Sequence, residues 1–155
     1  MQKITPFLWF NDNAEEAVNF YTGIFKNSKV GSIPRYGKGM PGPEGSVMTA
    51  TFTIEGQDFI ALNGGPMFKF TEAVSFVVSC ENQEEVDMFW EKLSAGGEKS
   101  RCGWLKDKFG LSWQIVPTAF SRLMSGDDPE KKKRVMQAMM TMDKLDIQKL
   151  EDAAK

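Results

Sequence analysis

Histidine is absent from this 155-residue chain, which removes at one stroke the commonest metal ligand and the commonest general base. Cysteine is nearly absent too. Cys80 and Cys102 make up the count of 2, too few for a disulfide framework in a chain of this size. They read as free thiols of a reducing compartment. No apolar run approaches the roughly 20 residues of a membrane span, and the opening residues 1–10 read as a strand rather than a leader. An excess of one charge is also missing: 19 Lys and Arg face 21 Asp and Glu, for a formal net charge of −2. No basic stripe is available to steer a nucleic acid. These absences describe a cytoplasmic protein with neither membrane nor nucleic acid among its partners. Its 41% hydrophobic and 26% charged residues suit one soluble globular domain able to bury a core.

What the sequence does contain is a repeat. Asn13-Ala-Glu-Glu-Ala-Val-Asn-Phe-Tyr21 has a counterpart in Asn82-Gln-Glu-Glu-Val-Asp-Met-Phe-Trp90. A polar cap, two acidic residues in the first turn and an aromatic pair two turns on predict a helix start in both places. A strand-like segment precedes each helix, Ile4–Phe10 and Ala73–Cys80. Three more follow each. In the first half they are Ser28–Arg35, Ser46–Ile54 and Asp58–Leu62, the last two joined by a hairpin turn at Glu55-Gly56. In the second half they are Glu98–Cys102, Gly103–Lys108 and Leu111–Val116, with Lys108-Phe109-Gly110 as a turn. The spacing predicts an α+β fold of two βαβββ modules, about 1–66 and about 71–117. Residues 36–45 carry too much Gly and Pro for regular structure and form a loop inserted in the first module, either a lid or a passive excursion.

After Pro117 the pattern becomes helical, over about 118–155. Phe120–Met124 reads as one turn, and Asp127-Asp128-Pro129 starts a longer helix with Pro in its first turn. Val135, Met136, Met139, Met140 and Met142, then Leu145, Ile147 and Leu150, fall mostly on one face. Such a tail cannot bury that face alone. It packs on its own domain or, by exchange, on a second subunit.

Three stretches carry a family resemblance. Pro6–Tyr21, Gly103-Trp-Leu-Lys-Asp-Lys-Phe-Gly-Leu-Ser-Trp-Gln-Ile-Val-Pro117 and the tail Arg134–Leu150 resemble the PhnB-like, or 3-demethylubiquinone-9 3-methyltransferase-like, branch of the vicinal oxygen chelate superfamily (glyoxalase, bleomycin-resistance and dioxygenase proteins). The resemblance implies a glyoxalase-like U-shaped sheet around a small-molecule cleft, and a homodimer. It also implies four metal-ligand positions. By pattern they fall at Thr5 (or Pro6), Ala61, Ser75 and Gln114, none of them a carboxylate or imidazole. No metal and no cofactor are expected.

By period-two alternation Thr5, Phe7 and Trp9 share one strand face, and Ser75 and Val77 share another. Gln114 and Ser112 lie together, and Asn63 shares a face with Ala61. Trp104, beside a glycine, is a candidate for stacking on a ligand. The expected binding residues are therefore Thr5, Phe7, Trp9, Asn63, Ser75, Trp104 and Gln114, with catalytic residues unassigned. Lys106 and Asp107 read as a solvated hairpin pair. Three functions stay open: a small organic molecule bound in a metal-free cleft, an enzyme acting on a small aromatic or quinone-like substrate, or a dimeric interaction module. Methyl transfer from S-adenosylmethionine lacks the Gly-rich strand-to-helix turn of the doubly wound fold.

Overall fold

The computed structural model describes residues 2–155. The chain divides into two compact units, the first running to Phe70 and the second from Thr71 to Lys155. In the first, β1 (Phe7–Phe10) leads into α1 (Ala14–Ile24), then β2 (Lys29–Val30), β3 (Thr49–Ile54) and β4 (Gln57–Asn63). In the second, β5 (Ser75–Cys80) leads into α2 (Gln83–Ser94), then β6 (Glu98–Lys99), β7 (Trp104–Lys106) and β8 (Ser112–Pro117). Each unit holds a four-stranded mixed sheet, ordered β1-β4-β3-β2 and β5-β8-β7-β6. In both, the first strand runs parallel to the last and the other pairs are antiparallel. The strand–helix–three-strand repeat predicted from the sequence is present twice, and the class is α+β.

The apolar alternation decides which sheet face meets the helix. In the first unit Leu8, Phe10, Ala50, Phe52, Ile54, Phe59 and Ala61 are buried together with Ala14, Ala17, Val18 and Tyr21 of α1. Tyr21 stacks on Phe52 at 6.1 Å between centroids, and Phe52 on Phe59 at 5.2 Å. An 11-residue helix is marginal alone, so this packing is what holds it. Each buried aromatic or aliphatic side chain contributes roughly 1.5–3 kcal/mol. In the second unit Val86, Phe89, Trp90 and Leu93 of α2 are buried with Val78, Cys80, Leu105, Trp113 and Ile115 of the sheet. That leaves the other face of each sheet for function.

The two helices start differently. Asn82 caps α2 as expected, its side chain accepting from Glu85 N–H at 2.9 Å, while the Glu85 carboxylate accepts from Glu81 N–H at 3.0 Å. Asn13 makes no side-chain cap bond. The free N–H of Ala14 is taken instead by Asn63 Oδ1 at 2.8 Å, reached from the end of β4.

The strands are shorter than the sequence suggests. β1 begins at Phe7, leaving Thr5 ahead of it, and β2 is two residues long. The glycine- and proline-rich segment leaves no regular strand. It is a pinned excursion closed by an Arg35–Val47 bridge, by Gly45 N–H to Tyr36 C=O at 2.8 Å and by an Arg35–Glu15 ion pair at 3.2 Å.

The tail forms α3 (Thr118–Leu123), α4 (Pro129–Met140) and α5 (Ile147–Ala153). Asp128 and Asp146 cap α4 and α5 by accepting from Lys131 and Lys149 N–H, and Pro129 sits in the first turn of α4. Leu123, Val135, Met142, Leu145 and Leu150 pack into one apolar cluster. Within the single chain the tail packs on the second unit. Gln83 of α2 grips it, donating to Leu145 C=O at 3.1 Å and accepting from Ile147 N–H at 2.8 Å. Lys144 adds an ion pair to Asp87 at 2.9 Å. No helix among the described residues is long and apolar enough to cross a membrane.

Candidate functional site

The open face of the second sheet carries the candidate site. Register places its side chains in rows: Ser75, Ser112 and Lys106 lie side by side, and Val77, Gln114 and Trp104 form the next row. Along a strand, consecutive rows on one face are about 7 Å apart. A cleft of about 720 Å³ opens here, lined among others by Glu72, Glu98, Ser100, Trp104, Lys106 and Ser112. Gln114 Nε2 donates to Ser75 Oγ at 3.0 Å. Ser112 Oγ is buried and has no hydrogen-bond partner. Val77 stands 57% exposed beside this polar strip and supplies an apolar ledge.

The rim is built by a strained turn. Cys102 and Gly103 have φ of +59° and +84°, closed by Trp104 N–H to Arg101 C=O at 3.0 Å. Two successive positive φ values favour glycine. At Gly103 nothing larger fits, because an added Cβ would lie 2.8 Å from Ile115 C=O. The turn amides are not left unsatisfied: Cys102 and Gly103 N–H donate to Met142 and Asp143 C=O in the tail, both at 2.8 Å. Trp104 follows the turn on the open face and lines the cleft.

Lys106 and Asp107 do not form the solvated pair expected. Lys106 reaches across to Glu72, ahead of β5, and the two make an ion pair. The hydrogen bond from Lys106 holds the Glu72 carboxyl below its ordinary value, and the same bond pushes the Lys106 ammonium up. Asp107 turns inward and is only 2% exposed. Its carboxylate accepts from Phe109 and Leu111 N–H at 2.9 and 3.1 Å and from Trp113 Nε1 at 2.9 Å. A carboxylate at that position is buried because three donors meet it there. Sequence alternation alone could not foresee this.

The expected residues divide. Ser75, Trp104 and Gln114 share the open face of the second sheet. Phe7 and Trp9 share the open face of the first, Phe7 being 55% exposed. Trp9 is engaged locally, its Nε1 donating to Gly65 C=O at 2.9 Å and its ring edge-on to Phe68 at 4.9 Å. Thr5 is half-buried before the strand begins. Asn63 is a correction. β4 pairs in register with β1 so that Ala61 lies beside Leu8 and Asn63 beside Phe10, and both β1 residues are buried on the helix side. Asn63 therefore faces α1, where it caps Ala14 and donates to Val47 C=O at 3.2 Å. The open-face residues of β4 are Asp58, Ile60 and Leu62, with Asp58 at the far end accepting from Thr53 Oγ1 at 2.8 Å.

That correction bears on a metal. At the chelating positions the resemblance implies, the chain offers Thr5, a fully buried Ala61, Ser75 and Gln114. Moving the β4 position to either open-face neighbour gives only Ile60 or Leu62. This donor set does not fit a divalent cation. Among the described residues no group of three or more His, Cys, Asp or Glu side chains is placed to hold one. Neither thiol suggests a nucleophile paired with a base. Burial, and then Glu85, push the Cys80 thiol up to about 12, while Cys102 lines the rim.

Two mixed sheets of this topology, each backed by one helix, define the glyoxalase-like fold of the vicinal oxygen chelate superfamily. The chain belongs, more narrowly, to the family described as 3-demethylubiquinone-9 3-methyltransferase, in its PhnB-like branch: that family's model matches residues 2–116. A solved Bacillus cereus chain named for 3-demethylubiquinone-9 3-methyltransferase, PhnB protein, is 44% identical, with a TM-score of 0.70 over 75% of this chain and 99% of its own. Protein PA1353 from Pseudomonas aeruginosa shares the fold at 20% identity and a TM-score of 0.63, over 76% of this chain and 98% of its own. The fosfomycin resistance protein FosX from Listeria monocytogenes shares it at 16% and 0.53, over 76% and 93%. No curated protein matches this chain. The tail lies beyond the residues the family model matches.

Proposed function

We propose that this protein binds a small organic molecule with a planar apolar body on the open face of its second sheet, without a metal ion. The observation that carries the reading is a cleft that Trp104 and Ser112 both line, on the sheet face where Ser75 and Gln114 continue the polar strip. A rigid aromatic plate beside a few fixed hydroxyl and amide groups is how pockets hold planar ligands and orient them. The uncharged side chains at the chelating positions support binding without a cation.

Isothermal titration with 2-naphthylmethanol and 2-naphthoate tests this. The native protein is expected to bind at least one of them saturably, and Trp104→Ala is expected to weaken that binding about tenfold, in line with the loss of one aromatic stacking contact. Failure of both probes to bind at millimolar concentration would sink the proposal. So would a stoichiometric zinc, iron or manganese ion in the purified protein. Methyl transfer is not part of the proposal, because neither β1–α1 nor β5–α2 is joined by a glycine-rich turn: the connections are Asn11-Asp12-Asn13 and Glu81-Asn82. Accordingly no thermal shift with S-adenosylmethionine is expected. Ligand at 100 times its dissociation constant would add about 2.7 kcal/mol of stability and would be plainly visible.

A further inference from the structure

The Glu72–Lys106 ion pair crosses the cleft at a telling place. Lys106 stands on β7 and Glu72 just ahead of β5, and β8 lies between those strands. The residue of β8 in register with Lys106 on one side and Ser75 on the other is Ser112. The bridge therefore spans the row that holds the buried hydroxyl without a partner. A buried polar atom left unmatched costs stability, and proteins rarely keep one without a use. The ion pair above it is at the surface, with side chains 37% and 60% exposed. Pairs of that kind contribute little and part readily.

Resting on the small-molecule reading above, we infer that the ligand is an aromatic carboxylate: its carboxylate replaces Glu72 on the Lys106 ammonium and accepts from Ser112 Oγ–H, while its ring lies over Trp104 one row away. The ammonium, the Ser112 hydroxyl and the Trp104 ring each have a counterpart in such a ligand, and Glu98, opposite Lys106 on β6, remains as a second carboxylate beside the ammonium. The other cations lining the cleft are engaged elsewhere. Lys99 binds both oxygens of Glu91 on α2 at 2.8 and 3.0 Å, and Arg101 donates to Met140 C=O at 3.1 Å. Lys106 is thus the ammonium that a ligand can take over by exchanging one carboxylate for another. Glu72 acts as an internal stand-in, keeping the Lys106 charge compensated until the ligand arrives. No bond is made or broken beyond this exchange of ion-pair and hydrogen-bond partners.

The test compares 2-naphthoate with its neutral counterpart 2-naphthylmethanol by isothermal titration, in the native chain and three variants. The native protein is expected to prefer the carboxylate by about tenfold, the scale of one charge-assisted hydrogen-bond pair. Lys106→Met should abolish that preference and leave alcohol binding in place. Ser112→Ala should reduce it several-fold while raising the melting temperature of the free protein, because an unmatched hydroxyl has been removed. Glu72→Gln, at an exposed residue that carries no fold, should tighten carboxylate binding several-fold by removing its competitor. Equal or tighter binding of the alcohol, or a Glu72→Gln variant that binds carboxylate more weakly, would overturn the inference and leave the small-molecule reading standing. Binding of neither probe would remove both.

Discussion

The two units share one topology and differ in what occupies their open faces. On the first sheet the exposed face shows Phe7, Trp9, Ile60, Leu62 and a line of threonines, Thr49, Thr51 and Thr53, with Lys29 and Asp58 flanking Thr53 at one end. On the second it shows Ser75, Ser112, Gln114, Trp104, Lys106 and Glu98. The helix-facing sides are alike, because both must cover an amphipathic helix with apolar side chains. Packing constrains one face of a repeated module and leaves the other free to diverge. Here the second copy lines a cleft with its open face.

The same contrast runs through the turns and caps, and substitution sharpens it. The largest effect is expected where the second unit uses a buried carboxylate to shape a turn that has no buried carboxylate in the first. Asp107→Ala should destabilise the protein by about 3 kcal/mol in urea unfolding, since it strips three donors of their acceptor. At the corresponding hairpin, Glu55 and Gly56 have φ of +48° and +81°, and Glu55→Asn should change stability by under about 0.5 kcal/mol, toward greater stability. Equal losses at the two turns would break the comparison.

Next come the caps. Asn63→Ala removes both the Ala14 cap and the Val47 bond and should cost about 1.5 kcal/mol, against about 1 kcal/mol for the locally acting Asn82→Ala. The reverse order in thermal unfolding would place the greater weight on local capping. A smaller effect is expected in acid. A hydrogen bond from Gln83, joined by Lys144, lowers the Asp87 carboxyl below its ordinary 3.8. Its contribution is fully present above that ordinary value and is lost as pH falls through the lowered one. Hydrogen exchange at the α5 amides should therefore speed up slightly below pH 4, and Asp87→Asn should remove that pH dependence. Thiol labelling at pH 8 should modify Cys102 alone in the folded chain and both cysteines after unfolding, because the Cys80 thiol, at about 12, is buried and protonated.

Much of the fold can be read from the sequence because it is written locally. The Asn82-x-Glu-Glu helix start, the Glu55-Gly56 turn and the Asp128-Pro129 cap each lie within a few neighbouring residues, where propensity and hydrogen bonding act, whereas the α1 start is capped from Asn63. What escapes is set between strands. Alternation shows that Ala61 and Asn63 share a face, but only the pairing of β4 with β1 decides which face, and a choice off by one residue reverses it. Trp104 and the Ser75–Gln114 pair are legible because they sit on strands of clear period. Glu72 is invisible as a partner of Lys106, since nothing near either residue encodes an ion pair spanning a neighbouring strand. Asp107 escapes for a related reason: its burial depends on Trp113 donating from the next strand.

The bonds from Cys102 and Gly103 to Met142 and Asp143 also set an order of assembly. During synthesis the first unit has all its parts once Phe70 has emerged, and it can close early. The rim turn of the second module is complete in sequence by Trp104, yet the carbonyls that receive its amides are made about 40 residues later, a lag of a few seconds at the usual 5–20 residues per second. For that interval the second unit has an unfinished edge, and its last helices act as the latch that closes it.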